Sequence, residues 1–422
     1  TRPMKHVTSL DIILAGGQGK RLFPITQDRA KPASPFGGKW RIIDFPLNNH
    51  YNSGSRNIVV VAQYKPASLE RHIEHAWKPV FEQEGAEFIR VVHPEHGHYL
   101  GTADAVYRNL GLITSQKPQL VSVFAGDHVY LMDISQMKQF HLDSKSDLTI
   151  AAMPVRRDLA ANTFGVLVAD ENGNVIGFQE KPSDPAPIPG NENFCWASMG
   201  NYVFNRNSLV TALTVDAKKR TADEENKDLV RANPSLYSVH DFGFDVIPHY
   251  LREGRKVRMY DYTRNTPNQV KTTGYWRDLG TLDQFVEANL DLTGTHPPLR
   301  LENPGWPIVT FDESHGKQIV NAGDVTGSVL ANGVSIGKKS RLDDCIVGYN
   351  TEVGDHGEMT ETIFMGNNGT GRNVRINKGV VDKGVHIPDN TRIGIYHEED
   401  VARRFTLSPN GHVFIPRNYQ FK

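Results

Sequence analysis

Apolar positions follow two different rhythms along this chain. Over roughly the first three hundred residues, short and nearly continuous apolar runs alternate with stretches of helical period. The runs at residues 11–14, 58–62, 88–92, 120–124 and 148–152 have the character of strands buried on both faces. Helical periodicity fills 68–77, 102–114 and 134–144 between them. Strand–helix alternation of this kind predicts a doubly wound α/β sheet with right-handed crossovers, and such sheets bind ligands at the carboxyl ends of their strands. Residues 165–168 and 175–179 flank Asp170-Glu-Asn-Gly173, a hairpin signal that makes the sheet mixed. A Pro-rich loop is expected at 183–189, a strand at 201–204, and amphipathic helices at 245–252 and 282–290. Leu282, Phe285, Val286 and Leu290 recur at helical spacing and read as core.

The rhythm changes near His296-Pro-Pro298, where Pro297, Pro298, Pro304 and Pro307 crowd together as an extended linker. Past Ile319 the helix signals stop. Short apolar doublets recur about every six residues with Gly and Asn between them, as in Val334-Ser-Ile336, Ile346-Val347, Ile363-Phe364 and Val380-Val381. That spacing predicts a hexapeptide left-handed β-helix whose rungs must stack to bury their faces. A β-sandwich is the competing reading. The phase slips at 367–371, where an inserted loop is expected. The organisation read from the sequence is therefore 1–295, a 296–318 linker and 319–422.

Bulk properties narrow the class. The chain has 422 residues, with 47 Lys and Arg against 48 Asp and Glu, a formal net charge of −1. That balance implies no basic face and no nucleic-acid partner. No apolar stretch of about 18 residues suggests a membrane span, and no signal-peptide core is evident. The two cysteines, Cys195 and Cys345, make no disulfide framework. A soluble cytoplasmic enzyme is the expectation.

Candidate chemistry begins where the first strand runs into Ala15-Gly-Gly-Gln-Gly-Lys-Arg-Leu22, with Lys31-Pro32 shortly after. Leu22 stands where a dinucleotide fingerprint needs Gly, and Arg21 where a Walker A loop needs Ser or Thr. A glycine turn (Gly16, Gly17, Gly19) beside Arg21 and Lys31 can grip a polyphosphate through N–H groups and two cations. A plain strand-to-helix turn is the alternative for the glycines alone. His93, His96 and His98 lie close in sequence but lack a fourth ligand, so a zinc reading is rejected.

Leu14-Ala-Gly-Gly-Gln-Gly-Lys-Arg-Leu22 with Lys31-Pro32 resembles the signature of sugar-nucleotide pyrophosphorylases. Further segments narrow the resemblance to the ADP-glucose pyrophosphorylase family: Trp40-Arg-Ile-Ile-Asp-Phe45, Tyr99-Leu-Gly-Thr-Ala-Asp-Ala105, Ala125-Gly-Asp-His128, Phe178-Gln-Glu-Lys-Pro182, Ala197-Ser-Met-Gly200, His240-Asp-Phe-Gly243, Tyr275-Trp-Arg-Asp-Leu-Gly-Thr281 and Glu398-Glu-Asp-Val-Ala-Arg-Arg-Phe405. They span nearly the whole chain in the family's order. The resemblance implies a Rossmann-like nucleotidyltransferase sheet followed by a left-handed β-helix. It also implies the reaction of ATP with glucose 1-phosphate to give ADP-glucose and pyrophosphate. Such a site needs positioning and charge neutralisation more than a general base, because the attacking phosphate is already an anion.

Asp127, at a strand's carboxyl end, suits a Mg²⁺ ligand with Asp278 as partner; alone, either reads as a turn or capping residue. By resemblance this pair holds the metal. Lys181 is expected at an extended strand exit, Pro182 disfavouring helix before it, and the same resemblance implies that Lys181 binds the sugar phosphate and Glu180 the sugar hydroxyls. By the same resemblance Tyr99, Gly165 and Ser198 are expected to contact the sugar phosphate or nucleotide sugar. Gln63, at a strand's carboxyl end, is expected to read a base edge with Gly101 and Thr102 beside it, and the resemblance implies that the base is adenine. Trp276 reads as packing.

The family is allosteric, and the resemblance puts Arg29 and Arg41 among phosphorylated or phosphate effectors. Asp28 stands where many members carry Lys or Arg, and residues 312–320 replace a Pro-Pro-Ala-Lys-Phe-Val-like stretch. A homotetramer is implied as well. Two alternatives compete with this reading. A non-catalytic paralogue would have lost Arg21, Lys31, Asp127 or Lys181, and all four are present. A relative using another nucleotide or a hexosamine phosphate, with an acyltransferase β-helix, would carry an acetyl-transfer His in a recognisable setting, and the C-terminal part of this chain has none evident.

Overall fold

The computed structural model describes residues 7–83, 85, 88–271, 274–321 and 323–422. Its first part is built on a nine-stranded mixed sheet. The Ser9–Ala15 strand lies at the centre, parallel to Asn57–Ala62 on one side and Leu120–Ala125 on the other, with Phe88–Val92 beyond. Successive side chains of a strand point to opposite faces. Leu10, Ile12, Val59 and Val61 accordingly join one buried cluster, while Ile13, Ile58, Val60 and Ala62 join another. Burial on both faces is the reason these strands read as unbroken apolar runs.

Phe194–Asn205 runs antiparallel to Leu120–Ala125 and makes the sheet mixed. It also pairs with Leu148–Arg156 and Val166–Ala169, and its register slips between Ser198 and Tyr202. Gly200 takes the positive φ of 69° there, a bulge that redirects the strand.

Local structure departs from the sequence expectation at two helices. The 68–77 helix begins at Ala67, widens into a looser turn over Ile73–Trp77 and continues to Gln83. The 102–114 helix is two, Thr102–Tyr107 and Leu110–Gln116. The Asn109 side chain, between them, donates to the Ala105 carbonyl at 2.8 Å and to the Tyr99 hydroxyl at 3.1 Å, competing locally with the helical ladder.

Between Leu290 and Ile319 the described residues form no helix or strand. Yet Leu299, Leu301 and Trp306 are buried in one cluster with Phe36, Phe45 and Phe285 of the first part and Ile346, Ile363 and Val380 of the second. The stretch is a packed strap, not a solvated tether.

The second part coils through three parallel sheets, the arrangement of the left-handed β-helix expected from the spacing. Equivalent residues sit 17 apart: Asn350 donates to Asn367 at 2.9 Å, and Asn373 to Asn390 at 2.8 Å. A 17-residue coil is one short of three hexapeptides, so one face per turn is a pentapeptide and the sequence phase drifts. The loop insertion expected at 367–371 is therefore absent: Gly369 pairs in register with Glu352 and His386. Corners fall on left-handed residues in columns, such as Gly333, Asn350, Asn367 and Gly384, and Lys339, His356, Asn373 and Asn390. That requirement explains the recurrent Gly and Asn. One helix does occur past Ile319, at His397–Ala402. Its first turn carries Glu398, Glu399 and Asp400, which favour the helix dipole, and the Asp400 carboxylate accepts the Gly394 N–H at 2.9 Å.

Candidate active site

A cleft of about 720 Å³ opens at the carboxyl ends of the central strands. The loop Gly16–Lys20, with Arg21 and Lys31, forms one wall. Gln63, Tyr99, Gly101 and Thr102 form a second, and Gly165, Glu180, Ser198, Gly200 and Asp241–Gly243 a third, with Asp127 and His128 at the floor. Gly19 adopts φ 61°, and the place its Cβ would take lies 3.2 Å from the Lys31 Cβ. Glycine is thus required both by the turn and by the approach of Lys31. The Gly19 carbonyl accepts from the Thr26 hydroxyl at 2.7 Å.

Two chain segments deliver the carboxylates. Gly126 donates to the Leu14 carbonyl at 2.9 Å, docking the end of Leu120–Ala125 against the glycine loop. His128–Tyr130 then pairs antiparallel with Trp276–Asp278, in the register Asp278 to His128. This places Asp127 and Asp278 side by side, although 151 positions separate them in the sequence. Lys31 Nζ donates to Asp127 Oδ2 at 2.8 Å and to Asp278 Oδ1 at 3.4 Å. Burial acts against charge on both partners. The lysine nevertheless outweighs it at Asp127, whose carboxyl is held well below the usual carboxylate range, and the two carboxylates raise Lys31 in return. Arg21 approaches the same corner: a Cβ on Gly280 would lie 3.6 Å from Asp278 Oδ2 and 3.8 Å from Arg21 Nη2.

Ligand atoms of Asp127, His128 and Asp278 all lie within 4.8 Å of one another. His128 Nε2 is 3.5 Å from Asp127 and 3.6 Å from Asp278, and its Nδ1 accepts from Trp276 Nε1 at 3.2 Å. The donor-only indole leaves the neutral ring's proton on Nε2, so His128 presents an N–H to the carboxylates. Two carboxylates with a single ammonium carry spare negative charge and oxygen donors, which fits a hard divalent cation. His128 carries no signal of its own in the sequence beyond adjacency to Asp127. Trp276 packs on Phe164 and His128, as read, and in addition supplies this hydrogen bond.

Most of the expected binding residues line the cleft, several with polar atoms already engaged. The Gln63 side-chain oxygen accepts the Tyr99 N–H. The Tyr99 hydroxyl is turned to Asn109. Thr102 Oγ1 donates to Asp241 at 2.8 Å and accepts the Phe242 N–H at 3.0 Å. Gly165 is occupied by protein: a Cβ there would run into the Phe178 ring and approach Glu180. Ser198 donates its N–H to the Gly165 carbonyl at 2.8 Å, and the bulge beyond it brings Gly200 to the cleft. Lys181 stands outside the lining, 4.0 Å from Glu180. Its φ of 45° is left-handed rather than extended. The strand has ended at Gln179, and the Pro182 carbonyl accepts the Asn162 N–H at 2.9 Å, a tertiary bond that fixes the turn against the local preference.

Arg29 and Arg41 lie away from this cleft, between the sheet and the β-helix. Arg29 is buried and grips Asp382 through both nitrogens, at 2.7 and 3.1 Å. Arg41 meets Glu313 at 2.9 Å, and Lys383 takes the other Glu313 oxygen at 2.9 Å. Burial would raise Glu313, but Lys383 and Arg41 outweigh it and pull the carboxyl down to about 2. Glu313 belongs to the 312–320 stretch that departs from the family pattern. Neither Glu313 nor Asp382 was legible as a partner in the sequence.

Comparison with known proteins agrees with this geometry. Residues 10–295 match the nucleotidyl transferase family model, and residues 315–415 match the GlmU-like C-terminal hexapeptide model. The chain is 42% identical to the glucose-1-phosphate adenylyltransferase of Thermus thermophilus, over 99% of this chain and 100% of that protein. It is 39% identical to the enzyme of that name from Cutibacterium acnes, over 95% of each. It is also 38% identical to glucose-1-phosphate adenylyltransferase 2 of Vibrio cholerae, over 98% of each.

Proposed function

The chain belongs to the glucose-1-phosphate adenylyltransferase family and is a nucleotidyltransferase, and from that premise we propose how its cleft joins ATP to glucose 1-phosphate. A phosphate oxygen of the sugar phosphate attacks the α-phosphorus of ATP. The new O–P bond forms as the bond to the β-phosphate breaks, and pyrophosphate leaves with that electron pair. No general base is needed, because the attacking oxygen is already ionised. The observation that carries this reading is Lys31 held between Asp127 and Asp278 beside a glycine loop that ends in Arg21.

Arg21, Lys31 and the loop N–H groups bind the triphosphate and neutralise its developing charge. Gln63, Gly101 and Thr102 form the wall for the base, and Gly16 leaves room beside Gln63. Glu180 accepts sugar hydroxyls, with Ser198, Gly165 and Tyr99 shaping that half, and Lys181 reaches the sugar phosphate from its exposed turn. Asp127 and Asp278 would hold Mg²⁺, which when bound supplies charge screening and alignment of phosphate oxygens. His128 orients the two carboxylates through its Nε2–H.

Three further parts belong to the same proposal. The chain divides into a catalytic unit, 1–295, a 296–318 linker and a 319–422 unit for regulation and oligomerisation. Exposed Ile319 and Val320 on the first, open rung of the β-helix support assembly into a homotetramer. Phosphorylated or phosphate effectors act at the Arg41–Lys383 cations, where Glu313 competes with them, while Arg29 ties the two parts together through Asp382. Among the described residues no helix is long and apolar enough to cross a membrane. The two buried free thiols support a cytoplasmic setting. A panel of nucleoside triphosphates and sugar phosphates, followed by pyrophosphate release, tests the substrate assignment. ATP with glucose 1-phosphate is expected to dominate, and release with no pair would refute it.

A further inference from the structure

His240 heads a segment of cleft wall, Asp241–Gly243, without lining the cleft itself. It is a buried, non-glycine residue in the left-handed region, φ 58°. Such a conformation persists where its surroundings over-determine it. Here the imidazole is pinned at both nitrogens: Nδ1 lies 2.8 Å from Asp216 Oδ2, and Nε2 lies 3.0 Å from the Thr221 hydroxyl. Ser238 closes the loop. Its hydroxyl donates to Asp216 Oδ1 at 2.8 Å and accepts the His240 N–H at 2.8 Å. The bond to Asp216 raises the imidazole's pKa. Burial acts to raise Asp216, but its bonds to His240 and Ser238 outweigh it and hold it low.

What this pin holds is the cleft. The left-handed turn aims the His240 carbonyl at the first turn of Thr102–Tyr107, where it accepts the Ala103 N–H at 2.8 Å. Gly101 packs so closely on that carbonyl that no side chain could stand there. The next residue, Asp241, takes the Thr102 hydroxyl at 2.8 Å and the Phe244 N–H at 3.0 Å. Gly243 then lies directly against the Glu180 carboxylate, whose Oε2 would be 2.7 Å from a Cβ there and would have to move. One residue outside the cleft thus fixes the Gly101–Thr102 wall and the Asp241–Gly243 wall relative to each other.

We propose that His240, clamped by Asp216 and Thr221, is a positioning residue that sets the spacing between the base-side and sugar-side walls. The inference rests on the nucleotidyltransferase reading of the cleft. A residue that only stabilised the fold would lower the melting temperature and leave the Michaelis constants of the folded enzyme alone. A wall-spacing residue raises both Michaelis constants together and, because the reaction depends on positioning, lowers turnover as well.

The test is steady-state kinetics and melting of His240→Ala, His240→Asn and Asp216→Asn beside the unaltered chain. For His240→Ala, KM for ATP and for glucose 1-phosphate is expected to rise together by about tenfold, with kcat falling by about tenfold. His240→Asn tolerates the left-handed backbone but cannot span both partners, and Asp216→Asn keeps the shape without the charge. Each is expected to give a smaller joint rise. Should His240→Ala fail to fold, these two variants decide. Both KM values within twofold of the unaltered chain in the folded variants, or a rise for one substrate alone, would overturn the proposal. Absence of pyrophosphate release from the unaltered chain would instead refute the reading on which it rests.

Discussion

Lys31 donates a 2.8 Å hydrogen bond to Asp127, joining the glycine-loop side of the cleft to its carboxylate floor. The lysine and the carboxylates therefore act on one corner rather than from opposite walls. Asp127→Asn keeps the acceptor for Lys31 but removes the charge. Turnover is expected to fall by about a hundredfold or more, because charge stabilisation in the transition state is lost. Circular dichroism melting should stay within a few degrees. Activity within a few-fold of the unaltered chain would show that Asp127 holds no metal.

Lys181 sits on a turn anchored by Pro182 rather than by its own side chain, which is about half exposed. Its removal should leave the fold intact. Lys181→Ala is expected to raise KM for glucose 1-phosphate by about tenfold with little change for ATP. An equal rise for both substrates would argue against a role at the sugar phosphate.

Sequence legibility tracked the range of the interaction. The double-faced strands were plain because each residue's burial is local to its own run, as with Ile12 and Ile13. Asp127 and Lys31 stood out because small residues and a strand end flank them. The β-helix is visible as a six-residue rhythm, but its 17-residue coil looks in the sequence like a slip with an inserted loop, since one short face per turn drifts out of phase. Pairings such as Arg29 with Asp382 or Arg41 with Glu313 left no trace, because nothing periodic links positions so far apart. The His128 tautomer was equally hidden: it depends on Trp276, a neighbour only after the two short strands pair. Lys181 shows a tertiary hydrogen bond overriding a residue's preference before proline.

Glu313 answers the effector question with a specific expectation. Its carboxylate lies between Arg41 and Lys383, neutralising the cations that a phosphorylated ligand would need. Glu313→Gln removes that charge and frees both. Binding of inorganic phosphate, read by calorimetry, is expected to tighten by about tenfold, with a matching gain in its effect on activity. Unchanged affinity would mean that anions do not compete with Glu313.

Asp245 offers a pH signature. Burial raises its carboxyl from 3.8 to about 6, against the hydrogen bond it accepts from the Asp241 N–H. A group raised in the folded state contributes its stability below the unfolded value and loses it as pH climbs through the folded one. The loss therefore runs from about pH 4 to about pH 6. Asp245→Asn keeps the acceptor without the charge, so it should stabilise by about 3 kcal/mol at pH 8 and by nothing at pH 3.5. Melting curves at the two pH values check this; equal effects at both would contradict it.

The proposed attack of the sugar phosphate on the α-phosphorus, within the Lys31–Asp127–Asp278 corner, fixes where each phosphorus of ATP must end. Incubation of the purified chain with glucose 1-phosphate, Mg²⁺ and ATP labelled at the α-phosphorus tests it most directly. The label should appear in ADP-glucose, with one unlabelled pyrophosphate for each. Label remaining in ADP or AMP without a sugar nucleotide, or orthophosphate in place of pyrophosphate, would contradict the account.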